Sequence, residues 1–243
     1  MVLGMFSKDR AMERTIKKAT SPLAQSADRV AAMEKLADTG THDALLALCR
    51  RFSFSSHKMI EDEQEKQWVV ETLAGKGEAA VAPLHDYMKE ASSIAFPLRI
   101  LERVSDPDRR FEVIDALLAG EEPGYTKETT RRIQLIEWIG ELEDVESSQV
   151  VDRVAPYLAD FDENVRIAAA EALSLKPGSG AAERLVAALL REEEESMRFK
   201  RRVAEVLADN ELSLCGRKDE VAVLFDDLLS DFRLHRDKLA RKK

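Results

Sequence analysis

The chain has 243 residues, 44% of them apolar and 34% charged, with only 10 glycines, 7 prolines and 6% aromatics, where a charged share of about 25% is usual. That mixture favours helix and disfavours a β-sandwich. The 46 acidic and 37 basic side chains leave a formal charge of −9, which argues against nucleic acid and anionic membranes as partners unless the cations are segregated onto one face.

In chain order, Met1 to Arg10 holds too short an apolar run for a secretory signal and no glycine at position 2 for myristoylation. The longest stretch free of Asp, Glu, Lys and Arg is Ala19 to Ala27, far below the ~20 apolar residues of a spanning helix. The expectation is a cytoplasmic protein with no membrane insertion. Apolar residues at i, i+3, i+4 and i+7 then predict helix nearly throughout. The breaks are Thr39-Gly40, Gly75-Lys76-Gly77, Asp106-Pro107, Glu122-Pro123-Gly124 and Lys176-Pro177-Gly178. Phe6 to Ala19 reads as a first helix. Further first helices are expected at Asp43 to Phe52, Ala80 to Ala91, Phe111 to Gly120, Val150 to Asp160 and Ala181 to Arg191. Arg51 to Ile60 and Gly120 to Thr126 read as extended loops. Asp219 to Ala240 reads as a long amphipathic helix with Val221, Leu224, Phe225, Leu228 and Phe232 turned inward.

Between those first helices the sequence repeats. Six segments carry Glu, any residue, then an aliphatic: Glu34/Leu36, Glu71/Leu73, Glu102/Val104, Glu137/Ile139, Glu171/Leu173 and Glu205/Leu207, at spacings of 37, 31, 35, 34 and 34. Seven residues before the aliphatic position stand Arg29, Lys66, Pro97, Arg132, Arg166 and Lys200, so only the third unit lacks a cation. Three and four residues before it every side chain is apolar, which makes one stripe of a second helix. Each unit is therefore predicted to be a helical hairpin that buries its stripe against its neighbours.

The run Val154-Ala-Pro-Tyr-Leu-Ala-Asp-Phe-Asp-Glu-Asn-Val-Arg-Ile-Ala-Ala-Ala-Glu-Ala-Leu173 resembles the HEAT-repeat pattern, with a proline in the first helix and Val-Arg opening the second. Pro83 repeats the first-helix device. The short periods are more similar to the HEAT-like repeats of the phycobilisome-lyase type. The resemblance implies an all-α, right-handed α-solenoid of about six hairpins in a single domain. The units are about 6–40, 41–77, 78–106, 107–144, 145–177 and 178–210, with a capping helix at 219–240. It also implies a ladder between units, formed by an acid six residues before the Arg. Asp160 matches that position and Glu194 is a variant of it.

On a helical wheel the repeated Glu lies at roughly 160° from the aliphatic position, away from the core. Glu34, Glu71, Glu102, Glu137, Glu171 and Glu205 are thus expected to form an acidic ridge, which the resemblance places on the concave face. That ridge either solvates an outer face or binds. The flanking positions hold Trp68 and Thr72, Arg99 and Arg103, then Gln134 and Trp138. Exposed Trp beside Arg is the composition of a protein-binding hot spot, so these six residues are the candidate site for a protein partner. The competing account is that the tryptophans pack against a neighbouring repeat.

Catalytic signals are weak. His42, His57, His85 and His235 lie in no zinc motif, and none is followed by Glu as in the di-iron HEAT-like hydroxylases. His42 and Cys49 share a helix face without a third group to orient them, and read as a surface imidazole and a packed thiol. Cys49 and Cys215 form no C-x-x-C pair, so free thiols are expected. No catalytic, metal or cofactor residues are assigned. Arg198, Lys200, Arg201 and Arg202, with the basic residues from Arg233 to Lys243, make the C-terminal end positive. The function expected is a non-catalytic scaffold or adaptor that binds a protein through its concave face. The alternatives are a lyase or chaperone-type subunit handling a tetrapyrrole-like ligand, and a nucleic-acid-binding protein.

Overall fold

A computed structural model describes residues 2–176, 180–225 and 228–242, with side chains from residue 10 onward. Among these residues the chain is predominantly helical, with thirteen α-helices and one two-stranded hairpin. It divides into two compact units, Met1–Gly120 and Glu121–Lys243. No described helix is long and apolar enough to cross a membrane.

The N-terminal unit contains α1 (Val2–Ala19), α2 (Ser26–Thr39), α3 (His42–Cys49), α4 (Met59–Ala74), α5 (Val81–Glu90), α6 (Ala95–Val104) and α7 (Pro107–Leu118). Helices α1, α3, α5 and α7 neighbour one another in series, as do α2, α4 and α6, which gives the unit two helical layers. The predicted stripe is the seam between them. Met33, Leu36, Val69, Val70, Leu73, Ile100 and Leu101 are all buried; Val104, the last residue of α6, is half-exposed. Local signals set the helix ends. Gly40 stops α2 at φ 62°, a left-handed value that a side chain would resist, and its N–H donates to the Leu36 carbonyl at 3.1 Å. Asp106 accepts from the Arg109 N–H at 2.8 Å ahead of Pro107, a start for α7 four residues before the predicted Phe111. The Arg51-to-Ile60 loop is shorter than predicted, because a 3-10 turn covers Arg50–Ser53 and Met59 already begins α4.

The C-terminal unit contains α8 (Thr130–Glu141), α9 (Ser147–Val154) continued by a 3-10 turn over Ala155–Ala159, α10 (Glu163–Ser174), α11 (Ala181–Leu189), α12 (Met197–Asp209) and α13 (Lys218–Ala222). Helix α10 lies between α8 and α12, and its small residues Ala168, Ala169 and Ala172 let those neighbours come close. Gly140 of α8 comes especially near, since a Cβ there would stand 2.6 Å from the Cβ of Ala172. Of the predicted break at Lys176-Pro177-Gly178, residues 177 and 178 lie outside the described residues.

The long C-terminal helix expected at 219–240 does not form. After the short α13, strands β1 (Phe232–His235) and β2 (Lys238–Arg241) make an antiparallel hairpin with Leu234 opposite Leu239. The local sequence satisfies both periods, since Phe232 and Leu239 suit a helix face as well as one face of a ladder. The turn decides: Arg236 adopts φ 56°, and Asp237 ties the hairpin back by accepting from the Gly216 N–H (3.2 Å) and offering its carbonyl to the Leu214 N–H (2.8 Å). Val221, Leu228 and Phe232 are buried as expected, while Leu224 and Phe225 are only half-buried. The hairpin covers α12 in place of a helix.

Candidate binding surfaces

Beneath any surface lies a set of buried charge pairs that fixes the helix layers. In the N-terminal unit Arg29 of α2 donates from Nε to Glu65 of α4 at 2.6 Å, and Ser26 donates to the same carboxylate at 2.8 Å. Arg51, fully buried, donates to Glu65 (2.8 Å) and to Asp62 (2.6 Å), and its guanidinium lies 4.4 Å from the Phe54 ring centre. Lys66 completes the group at 2.7 Å from Asp62. Burial alone would raise the Asp62 carboxyl, but donation from Lys66, Arg51 and the Ser56 N–H outweighs it and brings the group down to about 2. Glu65 is held below its ordinary value by the same balance, burial against Arg29, Arg51 and Ser26.

The C-terminal unit repeats the device in the predicted register. Arg132 of α8 donates to Asp160, ahead of α10, at 2.8 Å. Arg166 of α10 reaches Glu194, ahead of α12, at 2.9 Å. The cation of one hairpin thus binds the acid of the next, as the ladder implied by the resemblance requires. In the N-terminal unit the acid comes from Glu65, inside α4, a position that the six-residue rule passes over.

All six ridge glutamates point away from the core; Glu34, Glu71, Glu102 and Glu137 are exposed and Glu171 and Glu205 partly so. Several are neutralised. Arg103 grips Glu71 with two bonds of 2.9 and 2.7 Å, and Arg202 bridges Glu171 (2.7 Å) and Glu205 (3.1 Å). Glu137 titrates above its ordinary value, first through desolvation and then through the negative Glu171 and Glu141.

Four of the six candidate partner residues lie in the N-terminal unit. Trp68 is half-buried and lines a cleft of about 200 Å³ with Ser26, Val30, Met33, Glu61 and Gln64. Thr72 is half-exposed one turn further along α4. Arg99 and Arg103 are exposed on the neighbouring α6, and Arg99 carries no ion pair among the described residues. The other two lie in the C-terminal unit. Gln134 is half-exposed, but Trp138 is only 6% exposed and belongs to the core. Its burial fits the competing account given for the tryptophans, packing within the helices, and takes Trp138 out of an exposed partner surface.

Part of the basic C-terminal end is paired as well: Arg198 with Glu163, Arg201 with Asp231, Arg241 with Asp209 and Lys238 with Glu211. A cleft of about 550 Å³ lined by Ile167, Glu171, Met197, Arg201, Arg202 and Glu205 lies among them. No group of three His, Cys, Asp or Glu side chains that could hold a metal is found among the described residues. Cys49 is buried and its thiol is pushed up to about 12 by desolvation, whereas Cys215 is exposed. His42 contacts Asp86 at 3.1 Å and Asp43 at 3.3 Å on an open surface.

These features define a predominantly helical protein whose successive hairpins are joined within each unit by buried arginine–carboxylate pairs. No family model and no curated protein matches the chain. Among solved structures it is similar to that of human deoxyhypusine hydroxylase in complex with glycerol, at 14% identity over 93% of each chain and a TM-score of 0.34, a slight likeness.

Proposed function

We propose that this chain is a HEAT-like adaptor, a right-handed array of about six helical hairpins that binds a protein partner and performs no chemistry of its own. The surface assigned to the partner is the outward face of α4 and α6, which in a HEAT-like array belongs to the concave side. The observation that supports this reading is the grouping of half-buried Trp68 with exposed Arg99 and Arg103 on adjacent helices. Among the described residues Arg99 has no carboxylate partner, whereas Arg103 on the same helix is paired with Glu71. An aromatic anchor on one helix and an unpaired, solvent-exposed guanidinium on the next make the composition from which interface hot spots are drawn. The ridge glutamates flank it and discriminate against acidic partners.

Affinity capture from the source cell's lysate tests the reading, with wild-type bait run beside Trp68→Ala/Arg99→Glu/Arg103→Glu and beside Arg99→Glu alone, each shown by circular dichroism to be equally helical. A protein retained by wild type and lost by both variants is the expected result. Identical capture by all three baits would exclude this face.

A further inference from the structure

Two large aromatic side chains of the C-terminal unit stand in the open. Tyr125 is 78% exposed and Phe161 69% exposed, yet their ring centres are 5.4 Å apart at an interplanar angle of 87°, the edge-to-face geometry that aromatic pairs prefer. They lie on the two segments that lead into α8 and α10. Exposed rings on loops ordinarily wander, but here the buried ladder pins the backbone under both. Gly124, next to Tyr125, donates its N–H to Asp160 at 3.2 Å and its carbonyl accepts from Arg132 at 2.9 Å. The Phe161 carbonyl accepts from Arg166 at 3.0 Å, and Asp160 accepts from the Asp162 N–H at 2.8 Å. The pair is therefore held before any partner arrives, which removes an ordering cost from binding.

Arg132 and Arg166 under the rings are each taken up by a buried carboxylate, Asp160 and Glu194, and the charges left over along the two segments are mainly acidic, although Asp162 also caps α10 by accepting from the Asn164 N–H at 2.9 Å. Glu122 and Glu128 stand three residues either side of Tyr125, and Asp162 follows Phe161. None of these carboxylates has a cation on it among the described residues, and Lys127 is the single unpaired cation of the two segments. Ring faces attract cations through their quadrupole, and neighbouring carboxylates add to the attraction.

We propose that Tyr125 and Phe161 form a second docking surface, which takes a basic segment of a protein partner by seating an Arg or Lys side chain on the rings against Glu122, Glu128 and Asp162. This extends the partner-binding reading to another surface and does not depend on the first.

The test is fluorescence anisotropy with a short labelled peptide alternating Arg and Ser, and its Glu-for-Arg counterpart, against the full chain. Wild type is expected to bind the basic peptide and not the acidic one. Tyr125→Ala/Phe161→Ala, which leaves the charge unchanged and removes only exposed rings, is expected to weaken binding by about tenfold or more. Trp68→Ala/Arg99→Glu/Arg103→Glu is expected to retain it. No binding of the basic peptide, or equal binding by wild type and the ring variant, would overturn the proposal, the second because bulk charge alone would then explain the attraction.

Discussion

Gly140→Ala is the sharpest test of how the C-terminal unit is packed. In an unobstructed helix the change would stabilise by about 1 kcal/mol, the propensity difference between the two residues. Here the added methyl would stand 2.6 Å from the Ala172 Cβ and 2.7 Å from its Cα. Neither atom can swing aside, since both are fixed to the α10 backbone, so α8 and α10 must part by about 1 Å. That opens the seam between α8 and α10, two helices whose buried residues include Leu135, Ile136 and Ile139 on one and Val165, Ala168 and Ala169 on the other. Overpacking costs ~1–3 kcal/mol, and a contact with no flexible partner belongs at the upper end, which leaves a net destabilisation of about 2 kcal/mol. Urea unfolding followed at 222 nm reads this directly: with a slope near ~2 kcal/mol/M the midpoint falls by about 1 M. A Gly140→Ala protein with an unchanged or higher midpoint would refute the close approach.

Three further outcomes follow from the buried groups. Asp160→Ala removes the nearer of the two buried carboxylates on Arg132 and leaves Glu121 at 3.5 Å, so it should cost about 2–3 kcal/mol, below the ~3–5 kcal/mol of a wholly uncompensated buried charge, with faster amide exchange around Gly124 and Phe161; an unchanged melting curve would deny the ladder its role. Asp62 has a folded pKa of about 2 against an ordinary 3.8, so its unfolded form binds protons first as pH falls. Its stabilisation, roughly 2 kcal/mol, is complete above pH ~4 and fades as pH drops through the folded value; Asp62→Asn should flatten the stability profile in that window, and a profile identical to wild type would contradict the shift. Cys215 should react with a thiol reagent in the native protein while Cys49, buried and with its thiol at about 12, reacts only on unfolding; two equally fast thiols would show that α3 is not packed as described.

The helix pattern was legible because the repeat enforces it: the stripe before each aliphatic position has to be apolar when both neighbours cover it, and those residues are buried. Asp160 and Glu194 were legible as ladder acids only through the HEAT-like resemblance, which implies an acid six residues before the Arg166 and Lys200 positions. The role of Glu65 was not, because it acts from inside a helix, where a glutamate among other glutamates carries no distinguishing mark. The wheel put Trp138 off the apolar stripe and left open whether it was exposed or packed, and a ring of that size reaches into the seam from its border. The C-terminal hairpin escaped because Phe232 and Leu239 fit either period and the deciding turn at Arg236-Asp237 contains no glycine. Tyr125 and Phe161 sit in loops, where periodicity gives no information, and only the coordinates bring them together.

The central claim, that the α4 and α6 face binds a protein, is tested most directly by calorimetric titration of the captured partner against wild type and Trp68→Ala/Arg99→Glu/Arg103→Glu. The account predicts that the variant binds at least about tenfold more weakly while remaining fully folded, since hot-spot anchors carry most of an interface's energy. Equal dissociation constants for the two proteins would contradict it.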